Sequence, residues 1–178
     1  MAERVKASLS GKHLQLARII EHHTDVEAAL RHYFSPESAQ YLIRFATYSP
    51  RELKNELELR LAENEKSTTL MILSSLEAAF RVDYLQRCKQ KKKDDLSRAL
   101  RKIHQQKQDH AKLDDIFEAW KESHAALKTL IGDVKGAFNY RHWLAHGRYW
   151  TAKFQKYDYD IVYSLAQAVY DNFPFENV

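Results

Sequence analysis

The sequence predicts an all-α fold, and three observations predict it. Four glycines and three prolines among 178 residues supply too few turn formers for a many-stranded sheet. Apolar residues recur at steps of three and four along most of the chain, which is the helical period. Two Ser-Pro pairs, Ser35-Pro36 and Ser49-Pro50, match an N-cap followed by proline at the first helical position, where the missing N–H costs nothing. A chain of this length buries a real core as one domain. The expectation is a single unit over 1–178, a helical bundle with an up-and-down core and extra N-terminal helices, about 12–47, appended to it.

The elements follow in order. In "GKHLQLARIIEHHTDVEAALRHYF" the residues Leu14, Leu16, Ile19 and Ile20, then Val26, Leu30 and Phe34, flank Thr24-Asp25, predicting two short helices. "SPESAQYLIRFATYSP" predicts another over 36–47, opened by Ser35. From Pro50 the series Leu53, Leu57, Leu61, Leu70, Leu73, Leu76, Phe80 and Tyr84 describes one long helix, whose weaker centre is the polar "NEKSTT" around Ser67, where a kink or a join could sit. "RCKQKKKDDLSRALRKIHQQKQDH" predicts two helices joined by a charged turn. "KLDDIFEAWKESHAALKTLIGDVKGAF" reads as one amphipathic helix about six turns long. It runs into "FNYRHWLAHGRYW", Phe138 to Trp150, where Gly147 is expected to stop the helix as a left-handed C-cap. Asp160 is expected to cap a last helix from Ile161 to about Phe173, ended by Pro174.

Composition narrows the function classes. A single cysteine, Cys88, excludes an intrachain disulfide and a cysteine-rich zinc knuckle. The N-terminal stretch lacks the apolar core of a signal peptide and no run of eighteen apolar residues occurs, so a cytoplasmic protein away from membranes is expected. A net charge of +4 is a mild pull toward polyanions, concentrated at Arg87–Lys107. There Lys91, Lys92 and Lys93 fit either a solvated turn or a surface that tracks RNA phosphates.

"FNYRHWLAHGRYW" carries the chemistry. On a helix, positions i and i+4 share a face, so His142 and His146 are neighbours, while Arg141 lies about 140° from His146. Three readings are open. The residues are structural, with satisfied histidines and a paired arginine. Or the histidines bind zinc, although Trp143 stands where H-E-x-x-H has its glutamate. Or the group cleaves RNA without metal, histidine exchanging protons and arginine stabilising charge on phosphorus.

The stretch "YRHWLAHGRYW" resembles the signature of the HEPN superfamily (higher eukaryotes and prokaryotes nucleotide-binding domains), an arginine followed after four to six residues by histidine, with a polar residue favoured directly after the arginine. Arg141, His146 and His142 fill those places. The upstream "LEAAFRVDY", Leu76 to Tyr84, is similar to the Glu-x-x-x-Arg stretch of many HEPN helices packed beside the motif. The resemblance covers roughly 76–88 and 134–172. It implies a HEPN-like bundle that forms a homodimer with two motifs in one cleft, and a cofactor-free, metal-independent endoribonuclease leaving 2′,3′-cyclic phosphates. Many such proteins are toxins or phage-defence effectors, with an antitoxin or a defence-system partner. His146 is then the general base or acid, Arg141 the phosphate clamp and His142 a positioning group. Glu77 holds Arg141 by a salt bridge, with Arg81 and Asp83 in the same network. One departure stands out: the tyrosine modified in some toxins follows the histidine by two places, whereas here Tyr149 follows by three. The alternative is a HEPN module that binds RNA, nucleotide or protein without cutting.

Beyond the motif, "RYWTAKFQKYDY" interleaves Arg148, Lys153 and Lys156 with Tyr149, Trp150 and further aromatics. Cations beside aromatic platforms suit single-stranded RNA, and Arg148, Tyr149 and Lys153 are the candidate contacts. Aromatics flanking a helix end also serve as core, which is the first assignment for Trp150.

Overall fold

The computed structural model describes residues 10–151 and 156–176. Among these the chain forms seven α-helices and no strand, so the fold is all-α. They are α1 Leu16–Tyr33, α2 Tyr41–Phe45, α3 Pro50–Gln90, α4 Asp95–Lys107, α5 Leu113–Ser123, α6 Lys128–Ala145 and α7 Tyr159–Asn172, with single 3-10 turns after α4 and before α6. No helix of the described residues is long and apolar enough to cross a membrane.

The spine is α3, 41 residues and therefore about 60 Å long. Its start is the expected one. Ser49 Oγ accepts from the Glu52 amide at 3.3 Å, Glu52 accepts from the Ser49 amide at 2.8 Å, and Pro50 opens the helix. It is one long helix, as the sequence describes, and continuous through Ser67. Thr68 and Thr69 donate to the carbonyls of Asn64 and Glu65, 2.9 and 2.8 Å away, so these buried hydroxyls find partners inside the helix and leave it intact.

The first helix is likewise continuous where two were expected, because Thr24 donates to the Ile20 carbonyl at 3.0 Å instead of capping a new helix. α1 lies along α3 and is anchored by buried His23, whose Nδ1 is 2.9 Å from Thr68 Oγ1 and whose ring stacks on Tyr159 at 4.4 Å. Ile19 joins the main core. α2 is far shorter than 36–47. Ser35 Oγ caps nothing, and the chain passes through turns while Phe34 stacks on Phe45 at 4.7 Å within a small aromatic cluster.

The helix expected over 113–134 is a hairpin. His124 leaves the helical region, at φ −136° and ψ 81°, and Lys135 reaches back to Asp114 and Glu118 at 3.0 Å each. In an unbroken helix Lys135 would lie about 25 Å beyond Glu118. The last helix is capped by Asp158, which accepts from the Ile161 amide at 2.9 Å, with Asp160 in its first turn. Ile72, Leu76 and Phe80 of α3, Leu96 and Leu100 of α4, Phe117 and Trp120 of α5, Ile131 and Val134 of α6, and Val162 and Val169 of α7 form the core. Each such side chain contributes about 1.5–3 kcal/mol through burial.

Candidate functional site

α6 brings the motif to one end of the bundle and stops there. His146 is the C-cap, Gly147 follows at φ 75° and Arg148 at φ 57°, and the Arg148 amide donates to the Trp143 carbonyl at 3.2 Å. This is the glycine stop expected from the sequence. Trp143 Nε1 donates to the Trp150 carbonyl at 2.8 Å, and buried Tyr140 stacks on Trp143 with centroids 5.7 Å apart. These aromatics clamp the turn after the motif against the bundle.

Half-buried Arg141 faces α3. Its Nη2 lies 3.1 Å from Glu77 Oε2, and Glu77 Oε1 accepts from Arg81 Nε at 2.8 Å, so one carboxylate sits between two guanidinium groups. Arg141 Nε is turned inward without a hydrogen-bond partner. Partly exposed pairs of this kind stabilise by less than about 1 kcal/mol, so the chief effect is on orientation. His142 and His146 are exposed, their ring centroids 4.2 Å apart at an interplanar angle of 54°. One end of one helix thus presents a fixed cation on its inner side and two exposed imidazoles on its outer side. Among the described residues no group of three or more His, Cys, Asp or Glu side chains gathers to hold a metal ion.

The other candidates divide. Arg148 meets both oxygens of Glu63, at 2.7 and 2.9 Å, and Lys66 adds a contact at 3.1 Å. Hydrogen bonds from Arg148, then Lys66, pull the Glu63 carboxyl down to about 2. Tyr149 is 83% exposed, with its ring edge-on to Trp150 at 4.6 Å. Asp83 is not beside Arg141. It is fully buried against Arg87, whose Nε is 2.8 Å away, and accepts from the Glu176 amide at 2.9 Å. Burial pushes the Asp83 carboxyl upward against the pull of that amide and of Arg87. Lys91, Lys92 and Lys93 lie past the far end of α3, where Lys92 pairs with Glu176. Lys153 lies outside the described residues.

Glu63 is the site residue that sequence reasoning missed. The signal was present, because Glu63 and Glu77 are fourteen residues apart, nearly four full turns, and so share a face of α3. That face supplies a carboxylate to each arginine flanking the histidines. Comparison with protein-family models, with curated proteins and with solved structures finds no match for this chain.

Proposed function

We propose that the chain is a HEPN-type, metal-independent endoribonuclease acting as a homodimer, a toxin or phage-defence effector controlled by an antitoxin or a defence-system partner. The observation that carries the reading is the end of α6, where Glu77 holds Arg141 at 3.1 Å while His142 and His146 stand exposed on the outer side of the same helix. RNA brings its own nucleophile. The 2′-oxygen attacks phosphorus as a histidine removes its proton, and the bond to the 5′-oxygen breaks as that oxygen takes a proton from a second imidazole. Arginine offsets the charge on the phosphorane between these events. The products are a 2′,3′-cyclic phosphate and a 5′-hydroxyl.

Arg141 is directed to α3 and the histidines to solvent, so in one chain the cation and the proton carriers occupy different sides of the helix. Two motifs facing each other would pool the exposed imidazoles of both copies in one cleft, from which a base and an acid can be drawn beside the part-exposed arginines, hence the dimer. The same divergence favours the second reading, a binding module that never assembles a cleaving site. The test is incubation of the protein with total RNA in EDTA beside His146→Ala and Arg141→Ala variants, with product ends mapped. Cleavage by the parent, with cyclic-phosphate ends and at least a hundredfold loss in both variants, is expected. A His146→Ala protein that cuts like the parent ends the assignment, and a parent that is monomeric and inert leaves the binding module.

A further inference from the structure

The basic residues are not spread over the molecule. From Arg87 to Lys107 the sequence holds nine Lys and Arg against two acids, an excess of seven in a chain whose net charge is +4, so the remainder is net acidic. The structure gathers this excess at the corner where α3 ends, Lys91 turns the chain at φ 53°, and α4 begins at Asp95. Part of it is consumed internally. Arg87 is buried on Asp83, Lys92 pairs with Glu176, Arg98 with Asp95, Lys107 with Asp115, and Arg101 donates to the Lys92 carbonyl. Lys89, Lys91, Lys93 and Lys102 are exposed and meet no carboxylate among the described residues. Cations near the end of α3 complement its dipole, but Lys102 sits in the body of α4 and has no such reason.

We infer that this corner is a docking surface for RNA phosphates, remote from the motif, which makes the substrate a structured or extended RNA and not a short oligonucleotide. The inference rests on the ribonuclease reading for the word substrate, and on the corner alone for the binding. The remoteness follows from α3. Glu77 anchors Arg141, and Lys91 comes fourteen residues later on an unbroken helix, about 21 Å along its axis. Glu63, which holds Arg148, lies fourteen residues the other way, so α6 runs antiparallel to α3 and its histidines lie between these two anchors, farther along α3 from the corner than Glu77. A ligand touching both regions covers roughly 20–40 Å, about six to twelve steps of a nucleic-acid duplex at roughly 3.4 Å each.

RNA is favoured over an acidic protein by what the corner lacks. Among the described residues the exposed large apolar side chains are Leu14, Leu42, Ile43, Tyr48, Leu59, Tyr149 and Ile161, and none lies between Arg81 and Lys107. Protein interfaces centre on apolar and aromatic anchors and are poor in lysine, whereas nucleic-acid interfaces are polar and positive.

The test uses the full chain and a variant with Lys89, Lys91, Lys93 and Lys102 each changed to Gln, which sacrifices no internal ion pair. The probe is a fluorescent 2′-O-methyl RNA hairpin, which has no 2′-hydroxyl and cannot be cut by the proposed route. Its affinity is expected to fall at least tenfold in the variant, with a salt dependence shallower by about three phosphate contacts and a melting temperature lower by no more than a few degrees, the loss of the lysines that complement the α3 dipole. A labelled trinucleotide is expected to bind the parent far more weakly than the hairpin. Equal hairpin affinity and salt slope in parent and variant would overturn the inference. So would a lysine-dependent affinity for polyglutamate that exceeds that for RNA. Cleavage of an unmodified hairpin by the parent is read separately. Lysine-dependent binding without cleavage upholds the corner and removes the ribonuclease, and cleavage with lysine-independent binding does the reverse.

Discussion

Glu63 meets Arg148 through both carboxylate oxygens and also touches Lys66, and these contacts set its acid–base behaviour. Its pKa is depressed from 4.5 to about 2. A depressed carboxylate contributes stability above its unfolded pKa and loses it as pH falls through the folded one, so the window runs from about 4.5 down to about 2. Glu63 is half exposed, and solvent screening keeps the contribution below about 1 kcal/mol. Urea midpoints at near-neutral pH and at a pH inside that window should therefore fall less in Glu63→Gln than in the parent. Identical profiles would show that the pair does not persist in solution. The contrast with Arg141 is instructive for what a sequence discloses. Glu77 stands on a recognisable Glu-x-x-x-Arg stretch and does meet Arg141, whereas Arg148 read from sequence looked free because its partner lies 85 positions earlier.

Within α6 two glycines have opposite meanings, and no pattern of apolar residues separates them. Gly132 is exposed with open space where a Cβ would stand, while Gly136 lies directly under the Tyr157 hydroxyl, itself placed near the Asp133 carbonyl at 3.4 Å. Alanine loses less backbone entropy than glycine in a helix, by about 0.5–1 kcal/mol, so Gly132→Ala is expected to raise stability by that amount. Gly136→Ala must displace the tyrosine and is expected to lower it by about 1–3 kcal/mol. Denaturant titrations of the two variants decide the matter, and a shared sign would mean Tyr157 does not rest on α6. The hairpin between α5 and α6 was illegible for a related reason. Trp120 and Ile131 are eleven residues apart, which returns to nearly the same helical phase, so the pattern runs on through a point where the chain reverses. What reveals the reversal is Lys135 paired with both Asp114 and Glu118.

At the scale of the whole molecule, composition disclosed the class because a chain with so few turn formers has little choice, but it did not disclose how the chain end is tied down. Phe173 and Phe175 pack on Phe80 at 5.2 and 5.1 Å, Arg87 Nη2 donates to the Pro174 carbonyl at 2.7 Å, and Asp83 takes the Glu176 amide at 2.9 Å. The spacing of Asp83 and Arg87, i and i+4, advertises a pair on α3. Only the fold shows that some ninety residues of chain close onto it. Cutting one partner from such a buried pair is severe, because the other charge stays behind without compensation, about 3–5 kcal/mol. Arg87→Met is therefore expected to cost that much in a urea titration. Asp83→Leu combined with Arg87→Met removes both charges and is expected to recover part of the loss. Recovery stays incomplete, because the Pro174 carbonyl and the Glu176 amide still lack their partners in the double variant. If Arg87→Met remained within about 1 kcal/mol of the parent, the pair would have to be solvated in solution and the C-terminal residues held by their two phenylalanines alone.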